Sequence, residues 1–192
     1  MKSNWILRIL GILLILLSAG ILLVSLGNAA NARKEAAQIV DQIQIGLPER
    51  TAGMQDTYSA MGMPVYQVNG KDFSAVIEIP AFGVKLPVFD RWDPEKVRRY
   101  PCRFAGTVYD GTLVIGGADQ QGQFDFLDQL EIGTVITVTD MTGAVFTYTV
   151  DRVGRSRTAE AEKLMDSGVD LTLFVRDAYS LEYILVRCVE KY

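Results

Sequence analysis

The chain has 192 residues, enough for one ordinary domain with an appendage and too few for two compact ones. Its 19 Lys and Arg against 23 Asp and Glu leave a formal charge of −4, so no cationic surplus exists to neutralise phosphates, and nucleic acid is not expected as a partner. The absence of histidine removes the usual general acid–base and the commonest metal ligand; two cysteines, Cys102 and Cys188, are too few for a Cys-only zinc or iron–sulfur site and can form at most one disulfide.

Residues 1–8 read as a short tail. From Ile9 to Ala32 no charged residue occurs, and Ile9 to Gly27 is a run of Leu, Ile, Val, Ala and Gly broken only by Ser18 and Ser25. At about 1.5 Å per residue a helix over this run is roughly 28 Å long, near the ~30 Å hydrocarbon core of a bilayer. The run therefore predicts a transmembrane helix over 9–27. Ala30-Asn31-Ala32 has the small-x-small form of a cleavage site, but signal-peptide apolar regions extend only about 7–15 residues, so length favours an anchor. Lys2 and Arg8 before the run balance Arg33 and Lys34 after it, and charge alone does not orient it.

Residues 28–63 are expected to form a stalk helix and a linker. Ala36, Val40, Ile43 and Leu47 recur at helical spacing, over fewer heptads than a coiled coil requires. Gly46-Leu47-Pro48 ends that helix, and the Gly-, Thr-, Ser- and Met-containing stretch to Pro64 reads as linker.

Residues 64–192 change to short β-like runs separated by turn signals. Val65–Val68 and Phe73–Ile79 flank Asn69-Gly70, a pair that readily takes the positive φ values of a tight hairpin turn. Further strands are predicted over Val84–Phe89, Thr112–Gly116, Val135–Thr139, Ala144–Val153, Leu171–Val175 and Glu182–Val189, with helical inserts over Pro94–Arg99 and Thr158–Ser167. Seven or eight strands with short helices imply a mainly β fold, a barrel or sandwich.

The residues themselves supply no competent catalytic set. Gly116 to Gly122 is the one Gly-rich loop, and it has neither dinucleotide-binding spacing nor a Gly-Lys-Ser/Thr ending. Asp119, Asp125 and Asp128 do not follow the order of a calcium loop and read as a solvated acidic loop. Arg152, Arg155 and Arg157 read as a charged surface. A Ser or Thr nucleophile without histidine needs a lysine base, and no Ser-x-x-Lys element is present. No metal or other cofactor is expected.

Several segments resemble, in order, those of sortases, the cysteine transpeptidases of Gram-positive cell surfaces, in their class B-like branch. They are Val76 to Val88, Tyr100 to Thr107, Leu113 to Gly117, Phe124 to Gly133, Thr139 to Phe146, Asp170 to Phe174 and Val186 to Cys188. The resemblance implies a sortase-like β-barrel of seven or eight strands. It also implies chemistry in which a Cys thiolate attacks the Thr–Gly bond of a Leu-Pro-x-Thr-Gly-like signal, a His moves the proton and an Arg steadies the oxyanion.

This chain departs from that pattern at all three positions. Where the family reads Val-Ile-Ala-Gly-His-Asn, the chain reads Val114-Ile115-Gly116-Gly117-Ala118-Asp119, which puts Ala118 at the His position. Where the family reads Thr-Leu-Phe-Thr-Cys, it reads Thr172-Leu173-Phe174-Val175-Arg176, with Arg176 at the nucleophile position, and the family Arg falls on Tyr183. Alanine moves no proton, and an arginine that stays protonated is no nucleophile. The resemblance thus implies a membrane-anchored, extracytoplasmic pseudo-sortase. It would bind a sorting-signal-like peptide, a surface protein or a partner sortase through a groove containing Arg176, Tyr183 and Asp119. Cys102 and Cys188 fall where related active sequences also carry Cys, so the resemblance implies a structural role for both, with a disulfide between them as one form of it. The alternatives are an active transpeptidase or hydrolase with Cys102 or Cys188 as a displaced nucleophile, and a purely structural surface module.

Overall fold

The computed structural model describes the backbone of residues 3–47 and 62–191; within the first helix it describes the side chains of 5, 8–21, 27 and 31–47. The chain divides into two compact units, Met1–Glu35 and Ala36–Tyr192. The linker expected over 48–63 lies almost wholly outside the described residues.

Helix α1 (Ser3–Gly46) runs without a break through the expected anchor and stalk. In the first unit, Ile12, Leu13, Ile15, Leu16 and Ile21 are exposed. Among the described residues no helix is long and apolar enough to cross a membrane. In the second unit the apolar stripe of the stalk is fully used. Ile39, Val40 and Ile43 are buried with Val68, Phe73, Val76, Tyr100 and Met141. The stripe therefore docks on the chain's own β-domain, and burial of each Ile or Val contributes roughly 1.5–3 kcal/mol.

That domain is a closed barrel. Its strands are β1 (Tyr66–Val68), β2 (Lys71–Ile79), β3 (Val84–Phe89), β4 (Cys102–Ala105), β5 (Leu113–Gly117), β6 (Val135–Asp140), β7 (Val145–Ser156), β8 (Leu171–Arg176) and β9 (Tyr183–Glu190). The order is β1-β2-β3-β4-β5-β8-β9-β7-β6, and pairing of β2 with β6 closes eight strands into a ring that leaves β1 outside. One strand can serve three neighbours because β1 occupies Lys71–Phe73 of β2, whereas β6 occupies Ala75–Glu78 further along. The Asn69-Gly70 turn has φ of 51° and 70°, as the hairpin signal anticipates. Strand β4 was not legible as a strand, because it is only 4 residues long and its register shifts between Arg103 and Ala105. The two helical inserts shrink to a 3₁₀ turn at Lys96–Arg98 and the short helix α2 (Ala161–Met165).

Ile77, Leu113, Ile115, Leu173, Val186 and Cys188 fill the barrel interior. A second apolar layer covers the outer face of β5, β8 and β9, where Val114, Phe174 and Leu185 pack with Leu164 of α2, Phe104 and Met165. Burial on both faces explains why these strands are almost uninterrupted apolar runs. It also makes them a rigid platform for whatever their ends carry.

Candidate functional site

Strands β5 and β8 run parallel with Gly117 paired to Val175, and β8 pairs antiparallel with β9, where Arg176 faces Tyr183. Ala118 follows Gly117 directly. The topology therefore brings Ala118, Arg176 and Tyr183 to one end of three adjacent strands, although Ala118 and Arg176 are far apart in sequence.

The side chains there do not form a reactive set. Ala118 offers a methyl group, and its backbone is engaged by its own loop: its N–H donates to Gln123 Oε1, and its carbonyl accepts from the N–H of Gln120 and of Phe124. Gln123 is buried and donates from Nε2 to the Val97 carbonyl at 3.0 Å, which fixes the loop against the 3₁₀ turn. Arg176 is exposed and donates from Nε to the Leu181 carbonyl at 3.3 Å. Leu181 holds a φ of 62°, in the left-handed region that a residue with a Cβ adopts at a cost of about 1–2 kcal/mol. Among the described residues no acid pairs with Arg176. Tyr183 is half-buried, its ring 6.0 Å from that of Phe174.

The acids near the site serve the loop that joins β8 to β9. Asp119 Oδ2 accepts from the Ala178 N–H at 2.9 Å. Asp177 Oδ1 accepts from the N–H groups of Tyr179 and Ser180, and its Oδ2 accepts from Arg155 Nη1 at 2.6 Å. The Arg155 hydrogen bond, followed by those backbone donors, holds the Asp177 carboxyl well below the usual carboxylate range. Arg155 also approaches Asp128 at 3.9 Å. It is thus a tether and not merely part of a charged surface. Asp125 and Asp128 are exposed, and among the described residues no cluster of three or more His, Cys, Asp or Glu is placed to hold a metal ion.

Under this end of the strands lies an aromatic set that strand-by-strand reading missed. Trp92 stacks on Phe174 at 5.6 Å and meets Phe104 edge-on at 5.2 Å, and Phe104 meets Phe174 edge-on at 5.1 Å. Gly116 permits this: a Cβ there would overlap the rings of both Phe174 and Trp92. The signal was available in part, since Thr172, Phe174 and Arg176 alternate onto one face of β8.

The disulfide that the sequence left open is not formed. Cys102 and Cys188 are both free and buried. They lie on β4 and β9, with β5 and β8 between them, so the sheet separates their backbones by about three strand spacings of ~4.8 Å, beyond the reach of a disulfide. Burial pushes both thiols up to about 12, with Asp151 adding to the effect at Cys188. Cys102 opens β4 and pairs with Gly116, two residues before Ala118, so it lies at the same end of the barrel but is wholly buried; Cys188 pairs with Leu171 at the other end of β8 and is wholly buried too.

A sortase-domain family model matches residues 77–178, more than half of the chain. Solved structures agree in fold. Sortase D5 of Clostridium perfringens superposes with a TM-score of 0.59 at 16% identity, over 84% of this chain and 99% of that one. Sortase C-3 of Streptococcus pneumoniae gives 0.55 at 17% identity, over 86% and 84%. Sortase A of Corynebacterium diphtheriae gives 0.53 at 19%, over 85% and 84%. No curated protein matches the chain by sequence. With the matched segment running from the middle of β2 past the end of β8, and with an eight-stranded barrel closed as in these structures, the chain belongs to the sortase family.

Proposed function

We propose that this protein is a catalytically inactive sortase-family member, held at the cell membrane by the apolar N-terminal run and acting by binding at the extracytoplasmic surface. The observation that carries the reading is the residue set at the ends of β5, β8 and β9. The positions that resemblance assigns to His, Cys and Arg hold Ala118, Arg176 and Tyr183, and the whole chain contains no histidine. Acyl transfer needs a nucleophile beside a base, and here a methyl group, a cation and a phenol converge. The displaced-nucleophile alternative draws no support from Cys102 or Cys188, whose thiols are buried and strongly disfavoured as thiolates.

The anchor rests on the sequence, where Ile9 to Ala32 carries no charge. Binding rests on what remains accessible at the strand ends. Arg176 is exposed and free of an acid partner among the described residues, Tyr183 presents a half-buried ring, and Asp119 stiffens the adjoining loop. A sorting-signal-like peptide, a surface protein or a partner sortase are the ligands this family setting favours. The reading is tested by incubating the detergent-solubilised full chain with a fluorogenic Leu-Pro-x-Thr-Gly peptide and an amine acceptor. No turnover above buffer is expected; sustained turnover overturns the reading.

A further inference from the structure

A second feature lies on the same sheet, along the second half of β7, the strand that flanks β9. Across β9 and β7, Arg187 is paired directly with Arg152. Like charges placed opposite one another on neighbouring strands repel and are normally offset by an acid. Here Arg152 is only 3.8 Å from its sequence neighbour Asp151 and donates from Nη2 to the Ser167 carbonyl at 3.3 Å. Arg187 is half-buried and has no acid partner among the described residues. Burial and the nearby Arg152 both lower the Arg187 pKa, the direction expected of a cation that lacks its counter-charge. Both arginines line a cleft of about 300 Å³ that also includes Gly154, Ser156 and Leu185.

The backbone beside this cleft is also unsatisfied. Strand β7 pairs with β6 only over Val145–Thr149, and Val150 makes the last hydrogen bonds on that side, with Gly133 and Thr134. From Asp151 to Ser156 the strand keeps β9 on one side and, among the described residues, has no backbone partner on the other. Residues 151–155 are exposed. An open strand edge is a template for another strand, and main-chain pairing then supplies affinity while alternate side chains supply selection.

We propose that the open edge of β7 over Asp151–Ser156, with Arg152 and Arg187, docks an extended acidic segment of a partner protein. An added strand satisfies the free backbone groups, and carboxylates on alternate residues meet the two facing arginines through charge-assisted hydrogen bonds. The assignment rests on the reading of this chain as a binder, and it gives that reading a location and a charge preference.

The test uses the full chain in detergent micelles and a fluorescein-labelled heptapeptide with Glu at alternate positions, read by fluorescence anisotropy. The Gln counterpart should bind about tenfold or more weakly, and so should the Glu peptide N-methylated at alternate amides. Arg187→Gln should weaken binding by about tenfold, and Arg152→Gln should do so independently, while Arg157→Gln leaves affinity within about twofold. Because Arg187→Gln relieves a like-charge pair, it should melt no lower than the wild type, so lost binding is separable from lost fold. Equal affinity for the Glu and Gln peptides overturns the proposal. So does full displacement by inorganic phosphate at the peptide's own concentration, which would mark a simple anion site, or dimerisation of the free chain through this edge. Failure here with no peptide turnover leaves the inactive-sortase reading standing, whereas turnover overturns that reading even if the acidic peptide binds.

Discussion

Arg155 on β7 donates to Asp177 at the end of β8 across 2.6 Å, and this pair ties the loop between β8 and β9 to the strand that flanks β9. The loop carries Arg176 at its start and Tyr183 at its end, so the Arg155–Asp177 contact positions both without touching either. Asp177 bonds Arg155 with one oxygen and caps the N–H groups of Tyr179 and Ser180 with the other. Loss of the arginine should therefore loosen a loop that the carboxylate organises.

The pH dependence of that contact has a definite sign. The folded-state pKa of Asp177 is depressed, while an unfolded aspartate titrates near about 3.9. Its contribution to stability is thus fully present above about pH 5 and is lost as pH falls below 4 toward the lower folded value. Arg155→Gln should lower the melting temperature at pH 7 and flatten the acid-side decline below about pH 4. Thermal melts of wild type and variant across that range check it; parallel curves would show that Arg155 does not set the Asp177 titration.

Gly116→Ala should disturb the aromatic set. The added methyl meets the Phe174 and Trp92 rings, and overpacking of this kind costs about 1–3 kcal/mol. In a Trp5→Phe background, Trp92 is the remaining tryptophan, so its emission should shift to longer wavelength as the ring leaves Phe174. An unchanged spectrum with unchanged stability would mean that the rings do not pack as described.

Thiol accessibility separates the exposed position 176 from the two buried native cysteines. With pKa values pushed up to about 12, Cys102 and Cys188 hold fewer than about one thiolate in ten thousand at pH 7.5, and both are buried. Iodoacetamide should leave the folded wild type unmodified and alkylate it after denaturation, and a reducing agent should not change the melting temperature. Arg176→Cys should be alkylated in the folded state at least about tenfold faster than either native thiol. Mass spectrometry of tryptic peptides reads all three positions.

Much of this architecture was legible in the sequence for identifiable reasons. Asn69-Gly70 specifies its own turn, and the apolar runs at Leu113–Gly117, Leu171–Val175 and Ile184–Val186 are long because both faces are buried. The alignment of Ala118, Arg176 and Tyr183 followed from family order, and strand register then explains their proximity. What escaped was decided by tertiary contact. Val40 and Ile43 read as a free stalk, because nothing local shows that β1 and β2 receive them. Arg155 looked like its neighbours until Asp177, 22 residues later, was brought beside it. The two cysteines suggested a disulfide, and only strand order shows β5 and β8 standing between them.

On the inactive-sortase reading, none of the residues at the ends of β5, β8 and β9 forms an acyl-enzyme. Intact-mass measurement of the full chain, quenched after incubation with a Leu-Pro-x-Thr-Gly peptide, tests it directly, because any thioester adds the mass of the acyl fragment to the protein. A single species at the unmodified mass is expected at every time point. An adduct that maps to Cys102 or Cys188 and disappears in Cys102→Ala or Cys188→Ala would contradict it and establish a displaced nucleophile.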